Sequence, residues 1–156
     1  MHTYFVELMI TGDHLDEAAV SRTLGLEPTS FLKKGERLSK RVTREQSVWS
    51  FAVCPSPGNL EWQSLEDGLK HLVEKLLPLK SAISELRQRY STEAYCGHFG
   101  SGIEGIGGGP SLSPEILRLL ADLELTLTIK TYWHEEGSTG RSQLHRKLRP
   151  ERKARR

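Results

Sequence analysis

Strand-like and helix-like segments alternate along this chain, and that alternation restricts the fold more than any other feature. In TYFVELMIT, residues 3–11, Tyr4, Val6, Leu8 and Ile10 share one side while Phe5, Glu7 and Met9 share the other, the period of a half-buried strand. A short helix is predicted next. Asp13 or Asp16 can cap its free N–H groups, Ala19, Val20 and Leu24 form its inner face, and Gly25 suits the left-handed position at its end. Residues 31–46 have no clear period and read as loop. SVWSFAV, residues 47–53, is a second strand, closed by Pro55, Pro57 and Gly58.

Leu65, Leu69, Leu72, Val73 and Leu76 then make the apolar stripe of a helix that Pro78 should break or kink before it resumes toward Tyr90. STEAYCGHF, residues 91–99, is a third strand. Ser113 as N-cap, Pro114 at the first helical position and a Leu112–Leu117 staple start another helix. The last strand is LTLTIKTYW, residues 125–133, with Leu125, Leu127, Ile129 and Trp133 on one face. The order β-α-β-α-β-α-β predicts an α+β domain: a four-stranded, mainly antiparallel sheet with helices on one face, a ferredoxin-like variant. In that arrangement the first strand lies between the third and the last, antiparallel to both. Trp49 and Trp133 are expected under the helices with Val6, Leu8, Leu72 and Leu117.

At 156 residues the chain is long enough for one domain with a sizeable core. Charge divides it: from His134 onward eight Lys/Arg stand against three acids, a net of +5, while the remaining 133 residues carry 14 basic and 17 acidic groups, a net of −3. We therefore expect a single α+β domain over residues 1–134 and a basic, disordered tail over 135–156. No membrane span, basic leader or cleavage site is visible, so a cytoplasmic protein without a membrane partner is expected. Cys54 and Cys96 form no metal or disulfide spacing and read as free thiols, although outward-facing positions on neighbouring strands would bring them close.

Three stretches together resemble the bacterial family labelled domain of unknown function 4279: LMITGDHLDEAAVSRTLGLEPTSFLKKGE, SVWSF leading to LEDGLKHLVEKLLP, and SLSPEILRLLADLELTLTIKTYW. The similarity spans roughly residues 4–133, and the LGLEPT and KKGE segments with Trp49 are its most specific parts. That family usually carries an aspartate where this chain has Lys130, so no role for that acid transfers. The resemblance implies one compact domain and a protein-binding or toxin-neutralising role, and it supplies no catalytic residue.

The literal G-x-G-x-x-G at Gly100, Gly102 and Gly105 is not read as a nucleotide site. A dinucleotide fingerprint needs its third glycine where the helix begins, but here Gly105 lies eight residues before the cap at Ser113 and Pro110 intervenes. It reads as a flexible loop, and no cofactor is expected. Cys96 and His98, two apart on a strand, have no acid placed to orient the imidazole. His2, His98 and His134 should reach one end of the sheet, but parity puts His2 on the helix side and the other two outward, so no metal is assigned.

By alternation the outward sheet face displays Phe5, Glu7, Met9, Cys96, His98, Thr128, Lys130, Tyr132 and His134, the mixture of aromatics, methionine and charge found on recognition surfaces. The favoured reading is a non-enzymatic protein-binding module of the toxin-neutralising (immunity) type, monomeric or homodimeric. It would meet an unidentified protein through Phe5, Glu7, Met9, His98, Lys130, Tyr132 and His134. The alternative is a nucleic-acid binder that stacks bases on Phe5 and Tyr132. Lys33, Lys34, Arg37, Arg141, Arg146 and Lys147 would then contact phosphates, weakly and without sequence choice through the tail.

Overall fold

The computed structural model of the chain describes residues 2–101 and 109–134, and of residues 101, 133 and 134 the backbone alone. Strand β1 (Thr3–Gly12) lies at the centre of a five-stranded sheet. Strand β3 (Ser47–Val53) pairs with it antiparallel on one side, β4 (Ser91–Ser101) antiparallel on the other. Three-residue β2 (Ser30–Leu32) borders β3 antiparallel, and β5 (Thr126–His134) runs parallel to β4 at the far edge.

The sheet is therefore mainly antiparallel but mixed, and it departs from the expected topology in three respects. It has a fifth strand, β1 sits between β3 and β4 rather than beside the last strand, and the last strand is parallel to its neighbour. The ferredoxin-like order is not adopted. Residues 30–32 are too few to show a period, and their pairing is carried by the backbone opposite Ser50, Trp49 and Val48. The parallel β4–β5 pair follows from the helix between them, since a strand that returns beside its predecessor after a helical crossover runs parallel.

Four helices cover one face: α1 (Glu17–Leu24), α2 (Leu65–Leu76), α3 (Lys80–Arg87) and α4 (Pro114–Asp122). Their starts follow local chemistry. Asp16, Ser64 and Ser113 cap α1, α2 and α4 by accepting from the N–H of Ala19, Asp67 and Ile116, and Gly25 ends α1 at φ 65°. Pro78 turns α2 into α3 through a single 3-10 turn at Leu77–Leu79.

The core is one cluster in which Tyr4, Val6, Leu8, Ile10, Trp49, Val53, Ala94 and Cys96 of the sheet meet Val20, Leu24, Leu69, Leu72, Val73, Leu76, Ile83, Ile116 and Leu120 of the helices. Fully burying each such aliphatic side chain contributes roughly 1.5–3 kcal/mol. Trp49 is buried as expected and its indole N–H donates to Ser21 Oγ at 3.0 Å, tying β3 to α1. Leu117 is not a core residue: it is 47% exposed, while Ile116, Leu120 and Leu123 supply the inner stripe. The Trp133 side chain lies outside the described residues. Among the described residues no helix is long and apolar enough to cross a membrane.

Candidate functional site

The register fixes which side chains share the face that the helices leave uncovered. Val6, buried against the helices, pairs with both Val53 and Cys96, so Cys96 and, two residues on, His98 also point to the helix side. Phe5 faces Gly97 and Lys130 in one row, and Glu7 faces Ala52, Tyr95 and Thr128 in the next. Met9 with Ser50, Glu93 and Thr126 forms a third row, and Thr3 with Phe99 and Tyr132 lies at the other end.

An aromatic ladder crosses β4 and β5 on this face. The Phe99 and Tyr132 rings stack with centroids 5.2 Å apart, and the Tyr132 and Tyr95 hydroxyls share a 2.8 Å hydrogen bond. Lys130 holds its ammonium 5.7 Å from the centre of the Tyr95 ring, within cation–π range. Gly97 makes room in the middle: a Cβ there would come within 3.3 Å of Phe99 Cε2, so the Phe99 ring leans over the bare backbone. Burial and the bond to Tyr132 push the Tyr95 phenol well above its usual range.

Beside the ladder lie two carboxylates. Glu7 is nearly buried, and desolvation pushes its pKa up to about 7 despite a hydrogen bond from Ser50, with the Glu93 charge adding to the rise. Glu93 accepts from the Thr128 hydroxyl. A raised, buried acid in such a setting is a common mark of functional surfaces.

Phe5, Glu7, Met9, Lys130 and Tyr132 thus share the expected face. His98 does not: its Nε2 lies 3.0 Å from His2 Nδ1, its ring stacks on Tyr4, and Thr131 Oγ1 is 3.5 Å from its Nδ1. Burial and His2 lower its pKa. The two histidines therefore meet on the helix side rather than dividing between faces, and the His134 side chain lies outside the described residues. Among the described residues no group of three or more His, Cys, Asp or Glu could hold a metal. Cys96 is buried with its thiol pushed up to about 12, which opposes nucleophilic use. Both cysteines are free thiols, Cys54 half-buried just beyond the end of β3 and Cys96 buried on β4.

Sequence reading missed Tyr95 and Phe99. An aromatic two residues either side of a strand glycine is a pattern that covers the glycine, and it was the available signal. Lys33, Lys34 and Arg37 lie between β2 and β3, where residues 35–44 form a small hairpin through Gly35 N–H to Arg44 O and Leu38 N–H to Val42 O. Lys34 pairs with Asp13 at 3.4 Å. Arg141, Arg146, Lys147 and residues 102–108 of the glycine-rich stretch lie outside the described residues.

The family model described as Domain of unknown function (DUF4279) matches residues 2–134. The chain belongs to that family. The match spans the whole DUF4279 sheet and its helices, so the open face is part of the family domain and not an appendage. No curated protein and no solved structure matches the chain.

Proposed function

We propose that this DUF4279 chain is a non-enzymatic protein-binding module of the toxin-neutralising kind, which meets its partner through the open sheet face. The observation that carries the reading is the ladder Phe5, Tyr95, Phe99 and Tyr132, partly exposed beside Met9 and Lys130, all six outside the hydrophobic core cluster. Aromatic and methionine side chains held rigidly at low entropic cost are the usual anchors of protein interfaces. The nucleic-acid alternative has less support, because Glu7 and Glu93 occupy the same face and oppose phosphate, while Phe99 and Tyr132 stack on each other.

The test is quantitative capture of partners from the native cell by the tagged full chain and by a Phe5→Ser/Met9→Ser variant with an unchanged circular-dichroism spectrum. A specific protein partner should fall about tenfold or more with the variant. Equal capture by both forms overturns the face assignment. Tight, sequence-selective nucleic-acid binding that survives neutralising Arg141, Arg146 and Lys147 promotes the alternative.

A further inference from the structure

The two edges of the sheet are unlike. Edge β2 has three residues, too few to template another strand, whereas edge β5 has nine and contains neither proline nor glycine. Long unpaired edges offer a row of free N–H and C=O groups, and proteins blunt them when no strand is meant to add there. On β5 the helical cover also stops short. Ile129 points to the helix side opposite fully buried Cys96, yet it is 38% exposed. Lys130 and Thr131 beside it are exposed as well.

We propose that a second copy of this chain covers that edge, its β5 pairing antiparallel with β5 about a twofold axis through Ile129. The axis runs normal to the sheet, so the two open faces lie on one side of a continuous ten-stranded sheet, twice the five strands of one copy. Charge selects the register. With Ile129 opposite Ile129, each Lys130 stands opposite Thr128 of the other copy, and Thr128 already holds the Glu93 carboxylate through its hydroxyl. Each ammonium is thereby brought beside a carboxylate of the other copy, twice by symmetry. Among the described residues neither Lys130 nor Glu93 forms an ion pair within its own chain. Shifting the axis by one residue to Lys130 would oppose two lysines, a destabilising cross-strand pair. The same register covers the exposed Ile129 on the helix side and sets Leu127 against Thr131.

This dimer does not depend on the partner-binding reading, and its test reads mass alone. Sedimentation equilibrium of the full chain up to the millimolar range should show a monomer–dimer equilibrium. Lys130→Glu should raise the dissociation constant by about tenfold or more, because it sets like charges beside each other at both ends of the pairing. The double exchange Glu93→Lys/Lys130→Glu should restore it. A monomer at every concentration overturns the proposal, as would an extended peptide of another protein being needed to occupy β5. A dimer indifferent to Lys130→Glu, or not restored by the double exchange, overturns it equally.

Discussion

The Tyr95 and Tyr132 hydroxyls meet at 2.8 Å across the parallel β4–β5 pair, although their residues lie two rows apart in its register. Tyr132 pairs along the backbone with Phe99 and Tyr95 with Thr128, so the two phenols lean toward each other over the row of Gly97 and Lys130. Their bond joins the edge strand to its neighbour by side chains as well as backbone. Replacing either tyrosine by phenylalanine should cost about 0.5–1.5 kcal/mol, the net value of one hydrogen bond. Because they are each other's partners, the double replacement should cost less than the sum. A double-mutant cycle by urea unfolding with strictly additive losses would show that the two hydroxyls act separately.

Glu7 should make stability depend on pH with a sign opposite to that of a salt-bridged acid. Its folded pKa lies near 7 against 4.5 for the ordinary carboxyl, chiefly because burial disfavours the charge. Between those values the native state binds more protons than the unfolded chain. The stabilising contribution is therefore full below about pH 4.5, falls as pH rises through 7, and is absent above it. The span corresponds to about 3 kcal/mol at most. Glu7→Gln, which has no charge to bury, should flatten this slope and be more stable than the parent at pH 8. Urea midpoints from pH 5 to 8 that run parallel for both proteins would refute the assignment.

The two thiols should differ in reactivity. Burial cuts the thiolate fraction of Cys96 about a thousandfold relative to an ordinary thiol, from a pKa of 9.0 to about 12. Cys54 is only half-buried. Maleimide should label Cys54 in the native protein and Cys96 only after unfolding. Fast native labelling of Cys96 would mean that the helix layer opens over β4.

What sequence alone could deliver was local. Caps and breakers act within one turn, so Asp16, Gly25, Ser113 and Pro114 were legible, and the alternation of β1 and β5 gave their faces correctly. Strand order was not legible, because one strand's period says nothing about which neighbour it chooses. The face of β4 was misread for a definite reason. In STEAYCGHF both parities mix polar and apolar residues, with Ala94, Cys96 and His98 on one and Glu93, Tyr95, Gly97 and Phe99 on the other. Only pairing opposite Val6 and Leu8 decides between them. Taking the other parity moves His98 onto the open face and hides Tyr95 and Phe99, half of the aromatic ladder.

Gly68 provides a test of how tightly α2 is seated on the sheet. It is the fourth residue of α2, inside the helix, where alanine is favoured over glycine by about 1 kcal/mol at most on propensity alone. A Cβ at this position, however, would lie 2.8 Å from Val6 Cγ2 and 3.1 and 3.2 Å from Trp62 Cγ and Cδ1. Neither neighbour can easily withdraw. Val6 is fully buried on the central strand, while Trp62 is bonded to Tyr4 by two backbone hydrogen bonds of 2.8 Å and donates its indole N–H to Val53 O at 3.1 Å. Overpacking of this kind costs about 1–3 kcal/mol, which should outweigh the propensity gain. Gly68→Ala is therefore expected to lower the urea midpoint at unchanged slope. Combining it with Val6→Ala, which removes the closest methyl, should cost less than the two single losses added together. A raised midpoint for Gly68→Ala, or simple additivity with Val6→Ala, would show that α2 stands off β1 farther than these distances require.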